Sequence, residues 1–190
     1  MVADEQLIKG PGALSTRNWF EARFGEGVFT EFARELDPSW PDRVLPGEWY
    51  PIRPFIHTLR RGAERLGDTN LEELTATISI ETAKQDLTTV YRAFLWVSSP
   101  RMFLRFVPRV WGSYANFGTL EDVSSEAGRY TLRITEVPED LVSWVCGAWR
   151  GFMPAALELA GAKDTQIEIL DRRPAASGQG WEISYEARYN

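Results

Sequence analysis

The sequence from Glu139 to Ala162, EDLVSWVCGAWRGFMPAALELAGA, predicts one long apolar helix. Apolar residues recur at steps of three and four positions, which places on one helical face Leu141, Val145, Ala148, Phe152, Ala155 and Leu159. A second apolar face contains Cys146, Trp149, Met153 and Leu157. Only a narrow seam is then left for solvent, formed by Ser143, Gly147, Arg150 and Glu158. Because a helix that is apolar around most of its circumference is buried on more than one side, we expect it to lie between a sheet and other helices.

The part of the chain before this helix predicts mainly helices. Residues 1–14 are expected to be a lead-in with a turn at Gly10-Pro11-Gly12, and residues 37–47 a proline-rich loop. Ser99-Pro100 favours a helix start, because proline is well tolerated at the first helical position. Pro108 lies inside that last pattern and should kink it. The apolar periodicity predicts helices at 16–24, 27–36, 52–66, 71–97 with a bend or an exposed turn at 81–86, and 99–117.

Strand-like segments lie on both sides of the long helix. Alternating and β-branched residues predict strands at 119–124, 129–137, 165–171 and 181–189. The order is therefore β-β-α-β-β, and the fold class is α+β, with an N-terminal helical lobe packed on a small antiparallel sheet. We expect residues 1–190 to form a single domain, with a helical lobe at 1–117 and a β-β-α-β-β lobe at 118–190.

Composition excludes several classes of protein and highlights one feature. The net charge of −6 argues against non-specific binding of nucleic acid. There is one cysteine, so no disulfide can form within the chain. We find no secretory signal and no apolar run of the roughly 18 residues that suggest a membrane span, so we expect a cytoplasmic protein. Aromatic residues make up 13% of the chain and include eight tryptophans, which indicates a core or a pocket rich in large rings.

Several short motifs resemble a group of uncharacterised bacterial paralogues. That group is similar in turn to the haem–nitric oxide/oxygen-binding (H-NOX) domains, the 4-vinyl-reductase-like domains and the TRAPP-subunit fold. The resemblance spans nearly the whole chain. It is carried by Lys9-Gly10, the run from Trp19 to Glu26, Trp49-Tyr50-Pro51, Ser99-Pro100, Gly161-Ala162-Lys163-Asp164 and the run from Tyr185 to Tyr189. The resemblance implies a pocket between the helical lobe and the sheet, which relatives use for haem, a hydrophobic small molecule or an acyl chain, and a surface used for dimerisation.

The chain departs from the haem-binding relatives at the residues that hold haem. Those relatives use a proximal histidine on the helix ahead of the sheet and a Tyr-x-Ser-x-Arg element. The stretch from Arg101 to Phe117 in the last of the predicted helices contains no histidine, and neither the sequence after Tyr114 nor the one after Tyr130 matches that element. The 4-vinyl-reductase-like domains often carry a C-terminal cysteine cluster, but no cysteine follows Cys146. We therefore expect the fold without a cofactor, a metal site or catalytic residues.

Two single residues have a chemical interpretation and a structural one. His57 is the only histidine and could ligate haem or act as a base, but a structural or surface role is the more common one. Cys146 lies in the apolar helix and could accept an acyl chain, as a cysteine does in TRAPP-like relatives. A free cysteine on such a helix is more often a small buried apolar residue.

Two larger sets of side chains are candidate binding residues. A cluster of rings and one thiol could line a ligand cavity, or could form a filled core: Trp96, Phe103, Phe106, Trp111, Tyr114, Trp144, Cys146, Trp149 and Phe152. A row of guanidiniums at four-residue steps could hold an anion or an acidic partner, or could be a solvated helix face: Arg101, Arg105 and Arg109.

The leading functional hypothesis is a non-enzymatic sensor or adaptor domain. It would bind a hydrophobic small molecule or a protein partner without haem, and it would form a homodimer. The alternative is a haem-binding gas sensor of the H-NOX type.

Overall fold

The computed structural model describes residues 5–89 and 99–190, including their side chains except those of residues 84–89. The helices come first and an antiparallel sheet follows, so the predicted α+β class is confirmed. The first part contains β1 (Leu7–Lys9), α1 (Gly10–Phe24), α2 (Val28–Leu36), β2 (Trp49–Pro51), α3 (Ile52–Arg65), α4 (Leu71–Thr89) and α5 (Pro100–Trp111). The second part contains β3 (Thr119–Glu126), β4 (Arg129–Val137), a 3-10 turn (Glu139–Leu141), α6 (Val142–Leu159), β5 (Gln166–Pro174) and β6 (Trp181–Arg188).

The start of the chain is more ordered than the sequence predicted. Gly10-Pro11-Gly12 is not a turn but the first turn of α1, where a proline lacks only an N–H that has no helical partner. Gly10 is required there because a Cβ at this position would lie 2.0 Å from the Leu45 carbonyl oxygen. The helix therefore begins well before the predicted position.

The prediction also missed a two-stranded sheet, because each of its strands has only three residues. β1 and β2 pair antiparallel, with Ile8 opposite Tyr50. The backbone N–H of Lys9 donates to the Tyr114 carbonyl oxygen at 2.7 Å. These bonds hold the beginning of the chain against the segment that follows α5.

The helices α4 and α5 begin within one residue of the predicted starts at 71 and 99, and each has a side-chain cap. Asn70 accepts a hydrogen bond from the Glu73 N–H at 3.2 Å, and Ser99 accepts one from the Met102 N–H at 3.2 Å. α4 continues as one helix from 81 to Thr89, so the predicted bend or exposed turn at 81–86 does not interrupt it. The remainder of the predicted helix, 90–97, lies outside the described residues. α5 ends at Trp111 rather than at Phe117.

The sheet has the strand order β3-β4-β6-β5, with every neighbouring pair antiparallel. Its inner face is apolar, and Leu132 pairs with Tyr185 while Ile134 pairs with Ile183, all of them buried. β5 is longer than predicted, because a register shift after Ile169 lets it pair with β6 as far as Pro174.

α6 lies between the sheet and α4, as its two apolar faces indicate. The predicted solvent seam is only partly correct, because Glu158 is exposed but Gly147 is buried against α4. The half-buried Arg150 forms ion pairs with Glu72 at 3.1 Å and Glu73 at 2.7 Å. In the sequence Gly147 interrupts the apolar pattern, whereas in the structure its lack of a side chain lets α4 and α6 approach closely. Among the described helices, none combines the length and the apolar character needed to cross a bilayer.

Candidate functional site: an aromatic cavity between the helices

A cavity of about 340 Å³ lies between α1, α3 and α4 on one side and α5 and α6 on the other. Ile8 of β1 and Ala115 line it as well. Its position follows from the two-sided burial of α6, since α6 contacts the sheet on one side and leaves Trp144, Ala148 and Phe152 toward the other helices. The volume is within the range of roughly 300–1,000 Å³ that ligand pockets typically have.

One wall of the cavity is aromatic and is continuous with the sheet. It is formed by Phe103, Trp111, Tyr114, Trp144, Trp149 and Phe152. The ring centroids of Trp111 and Trp149 are 6.0 Å apart. Trp149 in turn stacks on Tyr185 of β6 at 5.1 Å with an interplanar angle of 22°. Trp149 therefore contacts both the cavity and the inner face of the sheet.

The orientation of the Trp111 ring is fixed by hydrogen bonds. Its indole N–H donates to the carbonyl oxygens of Phe117 at 2.9 Å and of Gly118 at 3.2 Å. The polar edge of the ring is thereby satisfied away from the cavity, and the apolar part is left as wall. This arrangement also ties the end of α5 to the beginning of β3.

The opposite side of the cavity carries hydroxyl groups from two helices. Ser15 and Thr16 come from α1, and Thr75, Ser79 and Thr82 come from α4 at positions that share one helical face. Ser15 and Thr75 donate to backbone carbonyl oxygens four residues earlier in their helices, at 3.1 and 2.7 Å. Within the described residues, the hydroxyls of Ser79 and Thr82 make no such bond, so they can serve a ligand.

The described residues that line this cavity carry no charged side chain. The lining side chains of residues 5–83 and 99–190 include no Asp, Glu, Lys, Arg or His, and Tyr114 is the only titratable group among them. Burying an unpaired charge is costly. The walls therefore suit an uncharged ligand.

Six of the nine predicted ligand-binding residues meet at this cavity: Phe103, Trp111, Tyr114, Trp144, Trp149 and Phe152. Phe106 lies on another side of α5, where the Arg109 guanidinium is 5.6 Å above its ring. Cys146 is fully buried and is not part of the lining. Trp96 lies outside the described residues.

The surroundings of Cys146 explain why it is separate from the cavity. Its sulfur lies 4.0 Å from the Tyr185 hydroxyl, on the side of α6 that faces the sheet. Burial raises the pKa of the Cys146 thiol. A thiol with a raised pKa that is closed off from solvent is a poor nucleophile.

The three arginines predicted as an anion or partner site lie on the exposed face of α5. Arg101 donates to the Ser125 hydroxyl at 3.1 Å. In the part of the chain that the structure describes, neither Arg101 nor Arg105 nor Arg109 forms an ion pair with a carboxylate. The row therefore stands apart from the cavity, on the other side of the helix.

The single histidine is also remote from the cavity. His57 Nε2 lies 2.8 Å from a Glu35 carboxylate oxygen, on the outer surface where α2 meets α3. Arg61 donates to the same oxygen at 3.0 Å. The hydrogen bond from His57, together with the charge and hydrogen bond of Arg61, lowers the pKa of the Glu35 carboxyl.

The contact between His57 and Glu35 predicts that His57 affects the pKa of Glu35 and the pH dependence of stability. His57→Ala should raise the pKa of Glu35 toward its ordinary value, whereas His57→Gln, which keeps a donor, should raise it less. Because the folded-state pKa of Glu35 is the lower one, the contribution of the pair to stability is present above the unfolded-state pKa and is lost as the pH falls through the folded-state pKa. NMR titration of the Glu35 carboxyl carbon measures the shift; an unchanged pKa in His57→Ala would contradict the assignment.

Sequence reasoning missed the residues that α1, α3 and α4 contribute to the cavity. Phe55 and Leu59 lie in the predicted helix 52–66 but were not among the candidate binding residues, and neither were the hydroxyls of α4. The spacing of Thr75, Ser79 and Thr82 was a usable signal, because it sets three hydroxyls on the helical face that also carries Leu71 and Ile78. No group of three or more His, Cys, Asp or Glu residues that could hold a metal ion occurs among the described residues.

Comparison with known proteins gives no match at the level of sequence. No family model matches the chain, and no curated protein matches it significantly. Solved structures do match.

Three of these structures illustrate the similarity. The unliganded Fe(II) H-NOX protein from K. algicida aligns with a TM-score of 0.67 and 13% identity over 96% of this chain and 97% of that one. An oxygen-binding H-NOX domain related to soluble guanylate cyclases, in its oxygen complex, gives 0.67 and 10% over 95% and 92%. An H-NOX protein from S. oneidensis in the Fe(II)NO state gives 0.67 and 13% over 96% and 99%.

The chain therefore has the H-NOX fold, as the resemblance in its sequence implied. Identities of 10–13% establish the fold alone, because one fold serves many functions. The implied similarity to the 4-vinyl-reductase-like domains and to the TRAPP-subunit fold stays a prediction.

Proposed function

We propose that this protein is a ligand-sensing domain and that its ligand binds in the cavity between α1, α4, α5 and α6. The observation that carries the proposal is the cavity of about 340 Å³ with an aromatic wall and few polar groups. Closely packed interiors have few voids larger than a water molecule. A space of this size bordered by five helices is therefore better explained by an occupant than by defective packing.

The contacts of the cavity support sensing rather than catalysis. General acid–base chemistry needs a titratable group within reach of the substrate, and the described lining offers only Tyr114. In contrast, Trp149 contacts both the cavity and Tyr185 of the sheet. A ligand that moved Trp149 would also change the packing of the sheet, so the domain would act as a non-enzymatic sensor.

The first experiment looks for the ligand. Protein purified from cells is examined by native mass spectrometry and by solvent extraction, beside the variants Ala148→Phe and Ala22→Phe. Ala148 lines the cavity, and Ala22 is an exposed alanine of α1. Bound mass should be present in the parent protein and in Ala22→Phe and absent in Ala148→Phe. Equal amounts of bound mass in all three proteins, or none in any, would refute a ligand at this site.

A haem-binding gas sensor is the second candidate. The comparisons favour it over a haem-free sensor, because the similar H-NOX structures are described with Fe(II), with oxygen or with NO. In this candidate the cavity would hold haem and the haem would bind a gas.

The residues present do not fit a histidine-ligated haem. Haem iron is held by His, Cys, Met or Tyr side chains. His57 pairs with Glu35 at the surface, Cys146 lies against the sheet, and the described lining offers only Tyr114 and Met153. It also offers no cation for the two propionates, although buried carboxylates need such partners.

An absorption spectrum decides between the two candidates. The protein is expressed with added haem precursor, and Tyr114→Phe and Met153→Leu are prepared in the same way. A Soret band that is lost in one of these variants would establish haem and its ligand. A spectrum without the band supports the haem-free sensor.

The proposal also includes the oligomeric state, a protein partner and the location of the protein in the cell. A homodimer, a protein partner downstream of the ligand and a cytoplasmic location are proposed from the sequence alone. Sedimentation equilibrium tests the first of these, and a monomer at every concentration would exclude a stable homodimer.

A further inference from the structure

We propose that the natural ligand is an uncharged molecule with a flat body of about two fused rings and one hydrogen-bond acceptor that meets the hydroxyls of α4. This inference rests on the proposed function, since it names the class of ligand for the same cavity. It does not depend on haem.

The size of the ligand follows from the volume of the cavity. An engineered apolar cavity of about 150 Å³ in another protein binds one benzene molecule. The cavity described here measures about 340 Å³, so it has room for roughly two such rings. A longer chain or a larger ring system would need the walls to move.

The flat shape follows from the aromatic wall. Trp111 is held by its two hydrogen bonds, and Trp149 is held between Trp111 and Tyr185. Rings that are fixed in this way offer rigid surfaces to a ligand. Aromatic ligands gain from offset stacking and edge contacts with such surfaces.

The lack of charge on the ligand follows from the lack of charge on the walls. A carboxylate or an ammonium group inside the cavity would find no opposite charge among the described lining residues. Such a ligand would have to remain unpaired or be neutralised on binding, and both are unfavourable. An uncharged ligand avoids this cost.

The acceptor group follows from two hydroxyls of α4 that have no partner among the described residues. Ser79 and Thr82 both lie on the α4 side of the cavity. The donors of Ser15 and Thr75 are already used by backbone carbonyls. A carbonyl or similar oxygen on the ligand would therefore accept from Ser79 or Thr82, which fixes the ligand with its rings toward α5 and α6.

Three probes with the same naphthalene body test each part of the inference: methyl naphthyl ketone, ethylnaphthalene and naphthoate, substituted at the same ring position. The ketone is uncharged and accepts a hydrogen bond, ethylnaphthalene has no acceptor, and naphthoate is an anion of nearly the same shape. Binding is measured from the indole N–H signals of Trp144 and Trp149 in protein NMR spectra. We expect naphthoate to bind at least about a hundredfold more weakly than the ketone, because its charge would be buried without a partner.

A double variant isolates the hydroxyl contact. Ser79→Ala together with Thr82→Val removes both hydroxyls with little change in volume. It should weaken binding of the ketone about fivefold, the size expected for one hydrogen bond, and leave binding of ethylnaphthalene unchanged. Ala148→Phe should weaken the binding of both neutral probes, and Ala22→Phe should weaken the binding of neither.

The outcomes separate this inference from the proposed function. If naphthoate binds within about threefold of the ketone, the ligand is not restricted to uncharged molecules, yet the cavity remains a binding site. If the double variant weakens the binding of both neutral probes equally, the hydroxyls do not donate to an acceptor on the ligand. If no probe binds and native mass spectrometry finds no bound mass, both the inference and the proposed function are overturned.

Discussion

Replacing Trp149 by alanine should lower the free energy of unfolding by about 3–5 kcal/mol, the usual cost of removing a large buried ring. Trp149 is 5% exposed and contacts Trp111 on the cavity side and Tyr185 on the sheet side. The cost should be near the upper end of the range, because the ring borders an existing cavity. Nearby groups that already lack neighbours on one side cannot refill the space.

Urea unfolding followed by circular dichroism measures this change, with Trp49→Ala as the matched control. Trp49 is 37% exposed and contacts the Lys9 ammonium group, which is 4.6 Å from the ring centroid. An exposed cation–π pair contributes only about 0.5–1 kcal/mol, and less of the Trp49 ring is buried, so the control should cost clearly less than Trp149→Ala. A Trp149→Ala variant no less stable than the control would mean that Trp149 is not the link between cavity and sheet.

The same variant should also change ligand binding in a specific way. Removal of the indole enlarges the cavity and takes away the contact with Tyr185. Larger neutral probes should then bind, while the packing of the sheet should no longer respond to them. Amide signals of β6 that still shift on probe binding in Trp149→Ala would show that the response reaches the sheet by another route.

Much of the fold could be predicted because its elements are encoded locally. Ser99-Pro100 predicts the start of α5 through a favoured proline position, and alternation predicts β4 and β6 nearly to the residue. The three-residue strands β1 and β2 could not be found in this way. Their stability comes from contacts with distant residues such as Tyr114 rather than from their own pattern.

The candidate site could be predicted only in part, for a related reason. The rings of α5 and α6 are prominent in the sequence, and six of the predicted rings line the cavity. Whether large rings fill a core or surround a space depends on the distance between helices, which no single helix determines. The hydroxyl side was missed because Thr75 and Ser79 resemble ordinary polar residues until α4 is seen to lie against α6.

The distance between α4 and α6 depends on two glycines of α6. A Cβ at Gly147 would lie 2.3 Å from the Glu72 carbonyl oxygen, and one at Gly151 would lie 2.4 Å from the Ala76 carbonyl oxygen. Both contacts are with backbone atoms, so no side-chain rotation can relieve them. Glycine normally weakens a helix by about 1 kcal/mol relative to alanine, and here that cost is offset by the close approach of the helices.

Gly151→Ala should therefore lower the free energy of unfolding by about 2 kcal/mol, although alanine is the better helix former. Overpacking costs about 1–3 kcal/mol and occasionally more, and a clash with a backbone oxygen belongs to the upper part of that range, from which the gain in helix propensity is subtracted. Gly112→Ala is the control, since a Cβ there would meet nothing within 4 Å and its φ of −62° suits alanine. That variant should be neutral within about 0.5 kcal/mol.

The double variant Gly147→Ala/Gly151→Ala tests whether the two glycines act through one movement. If a single shift of α4 away from α6 relieves both clashes, the double variant should cost clearly less than the sum of the two single variants. The same shift moves Thr75 and Ser79, whose Cβ atoms would lie 2.8 and 2.6 Å from the new methyl groups. Affinity for methyl naphthyl ketone should then fall in each single variant and little further in the double. Additive losses in both stability and affinity would mean that each glycine acts locally and that α4 does not move as a unit.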